Sequence, residues 1–457
     1  MYSIHTFLLQ KELFRSPEPV KTTVVSSFTD TPALQQIARQ ADSDYILFYT
    51  GTSPIELHPY AIGRMYQIAE SNDGALFYSD YQEIRQGKKI HHPTLEYQTG
   101  SIRNDFDFGQ LLLFRNDSFQ QVVAQMNTDY RFAALYELRL SISRLGKIVH
   151  IPETLYTVQP TDLRLSGEKQ FDYVDPANRE VQLEMEAVCT AHLQAIGAWL
   201  APEFQRIDFG QENFAREASV IIPVRNRKRT IAEAVESALQ QQTDFSFNVI
   251  VVDNHSTDGT GQILTELSRR YPNLIHHIPA STELGIGGCW TEAILLPECG
   301  KFAIQLDSDD LYKDCHVLQR IVDTFYQENC AMVIGSYQMV DFKLEELPPG
   351  LIAHREWTPD NGRNNALRIN GLGAPRAFYT PVLRQIKFPN VSYGEDYATA
   401  LAISRKYPIA RIYDPLYLCR RWEENSDHDL DIQQLNNYNF YKDKIRTLEI
   451  QARISGK

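Results

Sequence analysis

Asp307, Ser308, Asp309 and Asp310 close the short apolar run 302–306. The run reads as a buried strand, so its acids stand at the carboxyl end, where open α/β sheets bind their ligands. Carboxylates spaced one residue apart suit a hard divalent cation, which keeps waters and completes its shell from substrate phosphates. A second acidic pair, Glu395-Asp396, follows Gly394 and opens a segment with Ala400, Leu401 and Ile403 at helical spacing. A carboxylate there is stabilised by the helix dipole and can also act as a base towards a hydroxyl. Pro223-Val224-Arg225-Asn226 follows another apolar run, and Asp253 opens the polar stretch 253–260 after a third. Backbone groups at the first place suit a planar base, and a carboxylate at the second suits a base or ribose donor. Both also fit ordinary turn chemistry. Arg421 offers a phosphate partner, and Trp422 an aromatic face or a core side chain. His428 offers an imidazole to a metal or to solvent.

The elements that must position these groups read as alternating strands and helices. Strands are expected at 219–224, 248–252, 274–278 and 302–306. Helices are expected at 231–239, around 263–267 and at 287–296. Thr230 to Glu233 has the form of a capping box. This alternation predicts a doubly wound, mostly parallel sheet. Upstream, Asp175-Pro176 is an expected helix start, with Val181, Met185, Val188, His192 and Ile196 as its stripe. The resulting division is 1–200 as an α/β domain, 201–217 as a linker, 218–430 as the domain holding the acids, and 431–457 as a helical extension.

The two halves echo each other. Ile142-Ser143-Arg144 and Leu155-Tyr156 match Ile403-Ser404-Arg405 and Leu416-Tyr417 at one offset. The first half has Tyr49-Thr50-Gly51 for Asp307-Ser308-Asp309, and Ala134-Leu135 for Glu395-Asp396. It therefore reads as a degenerate duplicate that cannot bind a metal diphosphate in the same way, and one short of room for the two opening strand–helix units. With 45 basic and 58 acidic residues the net charge is −13, which argues against a bulk nucleic-acid binder. No apolar run nears the roughly 20 residues of a membrane span. Six scattered cysteines read as reduced core thiols.

Taken together, the motifs resemble the family 2 glycosyltransferases of the glycosyltransferase-A fold across about 218–428, with 220–226, 251–260, 305–310 and 394–396 matching in order. The resemblance implies that Pro223, Val224, Arg225, Asn226, Asp253, Asp307 and Ser308 hold the nucleotide. Asp309, with Asp307 and His428, would hold Mn²⁺ or Mg²⁺. Asp396, beside Glu395, would be the catalytic base, and Arg421 and Trp422 would meet the diphosphate and acceptor. Trp290 stands where many members have an Ala-Arg-Asn run, and Leu418 replaces the Gln of processive synthases. The expected activity is inverting, non-processive transfer from a nucleotide diphosphate sugar to a glycan or lipid-linked glycan in polysaccharide biosynthesis. The expected setting is cytoplasmic, at most peripheral to the inner membrane face, with a homo-oligomer allowed. A sugar-phosphate nucleotidyltransferase and a non-catalytic sugar-nucleotide-binding scaffold are the competing readings.

Overall fold

Strands rich in Val and Ile form where both faces are covered, because branched side chains pack well on a pleated surface. Ala218–Val224 and Phe247–Asp253 are of this kind, with Val220, Ile221, Ile222 and Val249 to Val252 fully buried. Each such side chain contributes about 1.5–3 kcal/mol by leaving water. The computed structural model describes residues 2–159, 178–210, 212–422 and 430–456. It divides into two units, one of residues 1–199 with 430–457 and the other of 200–429.

In the second unit the sheet runs Leu274–His277, Phe247–Asp253, Ala218–Val224, Phe302–Gln305, Arg376–Tyr379, Met332–Val340, Ile409–Arg420 and Leu311–Tyr312. The first four strands are parallel. Arg376–Tyr379 then enters antiparallel to both neighbours, so the sheet is mixed beyond that point. Glu346–Ile352 pairs with Met332–Val340 as a side hairpin. The residues expected as a linker belong to this unit, where Gln205 N donates to Lys406 O.

The first unit repeats the plan. Its order is Lys21–Val24, Ile4–Leu8, Tyr45–Tyr49, Leu111–Arg115, Gly74–Arg85, Lys147–Val158, Ile55–Leu57 and Phe14–Arg15, with Lys88–His92 paired to Gly74–Arg85. Leaving out one edge strand from each sheet, the order and the direction of every pairing coincide. The register repeats as well, since Tyr81 faces Tyr156 as Tyr337 faces Tyr417. One expectation is corrected here. The first unit keeps counterparts of the two opening strands, joining Ile4–Leu8 to Lys21–Val24 through the 3-10 turn Lys11–Leu13 and the strand Phe14–Arg15, but a single helix, Thr31–Gln40, then leads to Tyr45–Tyr49 where the second unit has two helices and the strand Leu274–His277.

The helix Arg179–Ala195 lies where one was expected, and its proposed Asp175-Pro176 start falls outside the described residues. The helix Ile432–Ile454 belongs to the first unit, and its backbone packs directly on Gly100. A Cβ at Gly100 would lie 2.2 Å from Asp443 O. Gly100 N donates to Thr447 Oγ1 at 2.9 Å, and buried Asp443 takes Arg103 and Arg446 at 3.3 and 2.7 Å.

Candidate functional site

The crevice begins where the parallel strands stop together. Val224 is registered against Asp253, so the loops that follow both strands start side by side. Asn226 sits at φ +55, a left-handed conformation that Asn tolerates better than most residues. From there its N donates to Ser256 Oγ at 2.9 Å and its Oδ1 accepts from Thr257 N at 2.8 Å. Lys228 N adds a bond to Asp258 Oδ2 at 3.0 Å. The two loops are thus laced into one rim, with Pro223 half-buried and Arg225 exposed. Asp253 is buried, with Ser256 N at 2.9 Å on one oxygen and His276 Nε2 at 3.3 Å from the other. Burial raises its pKa, but these two partners outweigh that and hold it below the usual carboxylate range.

The acidic cluster follows Phe302–Gln305. Asp307 N donates to the hydroxyl of Tyr417 at 2.8 Å, and its carboxylate takes both bonds from Gln305 Nε2 at 2.9 and 3.1 Å. Ser308 is buried. Asp309 Oδ2 accepts from Trp422 Nε1 at 3.0 Å, with Arg227 Nε at 3.9 Å. Asp310 is buried and accepts from Arg420 N at 2.7 Å. Burial first, then the neighbouring negative charges, push Asp310 well above the carboxylate range and Asp307 upward as well. Carboxylates crowded at such cost gain from an arriving cation. Among the described residues no group of three His, Cys, Asp or Glu is arranged as a closed metal cage. A donor set of two carboxylates therefore fits a cation that takes its other ligands from a diphosphate.

Glu395–Ser404 is a helix entered through Gly394 at φ +80, a turn that glycine makes without strain. Its approach is fixed by the glycines before the helix Ile286–Leu295. Gly285 N donates to Asn390 Oδ1 at 2.7 Å and Gly287 N to Val391 O at 2.9 Å. Any Cβ at Gly287 would lie 2.0 Å from Pro389 O and 3.0 Å from the Glu395 Cβ. Gly287→Ala is therefore expected to lower stability by about 1–3 kcal/mol and to shift the 395–396 turn, readable as a lower denaturant midpoint. Trp290, on the same helix, is buried against Phe378 and Phe388, so it serves packing and supplies nothing to a phosphate.

Arg376 links the two acidic pairs, although no local motif marks it. Its Nη2 meets Asp396 Oδ2 at 2.8 Å. Its backbone N donates to Gln305 Oε1 at 3.1 Å, while Gln305 holds Asp307. Burial disfavours the Arg376 cation, but Asp396, Asp307 and Glu395 more than offset this and raise its pKa. Asp396 thus pairs with the Arg376 guanidinium, while Asp307 is tied to the Arg376 backbone through Gln305.

Glu395 differs from its neighbour. It is buried, its Oε2 has no hydrogen-bond partner, and burial followed by the Asp396 charge raises it to about 8. It is protonated at neutral pH and can donate, which sets it apart from a general base. A folded pKa above the unfolded one gives stability that is full below the ordinary glutamate value of about 4.5 and is lost as pH rises through about 8. Glu395→Gln should flatten that decline, as measured by thermal midpoints from about pH 5 to 9.

Arg421 N donates to Val340 O at 2.8 Å, so its strand end is anchored. Trp422 forms a lip with Phe342 at 5.3 Å, and Arg229 lies over both rings at 4.3 Å from Phe342 and 5.5 Å from Trp422. His428 lies outside the described residues. The expected Thr230–Glu233 capping box does not form: the Glu233 carboxylate pairs with buried Arg420, Thr230 N donates to Arg227 O, and Thr230 Oγ1 has no partner among the described residues.

A family model described as Glycosyl transferase family 2 matches residues 219–386. The second unit carries a family 2 glycosyltransferase domain. This glycosyltransferase domain holds Asp253, Asp307 and Asp309 within the matched span, and Glu395-Asp396 just beyond it. The chain is 24% identical to the poly(ribitol-phosphate) beta-glucosyltransferase of Bacillus spizizenii over 49% of its own length and 35% of that protein. It is 26% identical to a putative teichuronic acid biosynthesis glycosyltransferase, TuaG, of Bacillus subtilis over 42% of its length and 74% of that protein. Several curated relatives are matched over only about a quarter to a third of their length. Among solved structures, residues 1–349 of S. aureus TarS with UDP-GlcNAc align at a TM-score of 0.40 and 23% identity, covering 52% of this chain and 72% of that one. Glycosyltransferases of this family generally use a divalent metal. Among the described residues no helix is long and apolar enough to cross a membrane.

Proposed function

We propose that the second unit moves a sugar from a nucleoside diphosphate sugar to an acceptor hydroxyl with inversion at the anomeric carbon. The observation that carries this reading is the convergence of Asp307 and Asp396 on Arg376. One wall of the crevice bears the acids suited to a metal-bound diphosphate, and the other bears a carboxylate aimed into the same space.

In this reading Pro223, Val224, Arg225, Asn226 and Asp253 frame the base and ribose, and Ser308 lies between the acids. Asp309 and Asp307 would hold Mn²⁺ or Mg²⁺, which when bound offsets charge on the departing diphosphate. Asp396 accepts the proton of the acceptor hydroxyl, whose oxygen bonds to the anomeric carbon as the bond to the diphosphate oxygen breaks. Glu395, protonated, donates a hydrogen bond within the site. Arg421, Arg227 and Arg229, with Trp422, supply positive and aromatic surface to the diphosphate. The acceptor is proposed to be a cell-surface polymer or its lipid-linked precursor, the class to which both named relatives point. The setting is then the cytoplasm or the inner membrane face.

Among its described residues the first unit has none of the acids of this site at the matching positions. Tyr49 and Tyr156 are fully buried where the acids and their supporting tyrosine would be, and a Cβ at Gly51 would lie 2.2 Å from Gln110 Oε1.

The test is a thermal-shift titration with UDP, GDP and their sugars, with and without Mn²⁺, followed by transfer assays from the stabilising donor. A specific ligand at about 100 times its Kd stabilises by about 2.7 kcal/mol. Pyrophosphate release in place of nucleoside diphosphate release would identify a nucleotidyltransferase. No metal-dependent nucleotide binding would remove the enzymatic reading.

A further inference from the structure

The first unit has a cleft of its own, on the outer face of the helix Ala61–Glu70. It is about 490 Å³ in volume and lined by Tyr2, Tyr60, Tyr66, Arg64, Gln67 and Glu70. It is a shallow depression open to solvent, so a ligand would lie along it rather than inside it. Gly63 forms the notch in the helix that makes it possible. A Cβ there would meet the Tyr2 hydroxyl at 2.2 Å, so only glycine lets that ring lie against the helix.

The polar groups of the cleft are held in place by partners around it. Arg64 grips Glu153 with Nε and Nη2 at 3.1, 3.0 and 2.6 Å, and its Nη1 donates to Gln67 Oε1 at 3.3 Å. Glu70 accepts from the buried Tyr45 hydroxyl at 2.8 Å. Glu18 takes Gly63 N at 2.9 Å and bonds the Tyr2 hydroxyl. The lining therefore places a fixed cation, a fixed anion and a neutral amide side by side. A phosphate would face Glu70 and a simple cation would face Arg64, whereas a ring of hydroxyls can use both. The Tyr66 ring is occupied by Tyr2 at 5.2 Å and Tyr45 at 5.5 Å, so exposed Tyr60 is the ring that offers a flat apolar face for the C–H side of a pyranose.

Tyr60 supplies an independent sign. It stands at φ +65, makes no capping bond to the helix it precedes, and is 78% exposed. A bulky residue held left-handed costs stability, and this one recovers little of it by burial. Strain of this kind accumulates where a side chain is needed for something other than folding.

We propose that this cleft binds a neutral oligosaccharide, with Tyr60 against a pyranose face and Arg64, Gln67 and Glu70 on hydroxyls. The site extends beyond the transfer reaction and does not depend on it. Saturation-transfer NMR on the full chain with maltopentaose, cellopentaose and chitopentaose is the test. At least one should bind the native protein, and Tyr60→Gly should weaken it about tenfold without lowering the thermal midpoint, because glycine relieves the strain. Gln67→Ala, on an exposed side chain, should weaken the same ligand. Absence of binding to all three sugars overturns the proposal, as does binding that both variants leave unchanged. Loss of transfer activity by itself has no bearing on either result.

Discussion

Replacing Asp396 with Asn should cut glycosyl transfer by about 10²–10⁴-fold, the usual worth of a positioned general base. The amide keeps the shape and the hydrogen bond capacity but cannot take a proton. Arg376 loses an ionic partner, yet its Nε bond to Gly373 O at 2.8 Å and its link through Gln305 remain. The guanidinium should therefore stay in place, and donor affinity with it. Steady-state kinetics should show the loss in kcat with the donor KM little changed. Near-native turnover in this variant would assign the base elsewhere.

Asp309→Ala should remove the metal dependence of nucleotide binding and lower turnover by about two to three orders of magnitude, the equivalent of several kcal/mol of lost charge stabilisation. The backbone around it should hold, since Arg420 bonds the Asp309 carbonyl and Asp310 bonds Arg420 N. Asp309→Asn separates charge from geometry. It leaves an oxygen for Trp422 Nε1, now 3.0 Å from Asp309 Oδ2, while giving up the anionic ligand. Titration of Mn²⁺ and UDP followed by Trp fluorescence distinguishes the two variants. Equal metal response in native and Asn forms would exclude Asp309 as a ligand.

Much of the second unit could be read from local pattern, because its strands are short runs buried on both faces and its helices are striped. Expected bounds at 219–224, 248–252 and 302–306 differ by a residue at most from Ala218–Val224, Phe247–Asp253 and Phe302–Gln305. What local pattern could not show was competition for partners across the chain. Thr230 and Glu233 have capping-box spacing, but Arg420, nearly 190 residues on, is buried beside Glu233 and takes its carboxylate. Arg376 was passed over for the same reason. Nothing in its neighbours marks it, and its role appears only when Gln305 and Asp396 are folded around it. In the helix Arg179–Ala195 the expected stripe named Val181 and Met185, whereas Gln182 and Cys189 are buried. There the element was legible and its inward face was only partly so, since a polar side chain with a partner can lie inward.

The position of the last helix has a consequence for how the polypeptide is made. Ile432–Ile454 completes the first unit, around Gly100 and Asp443, although residues 200–429 are synthesised in between. A ribosome therefore finishes the strands of the second unit before the first unit receives its final piece. The earlier half must wait with the surface around Gly100 and Arg103 uncovered. A released chain truncated at residue 430 would carry every strand of the second sheet and an unfinished first unit, so its protease sensitivity should fall on the amino-terminal portion.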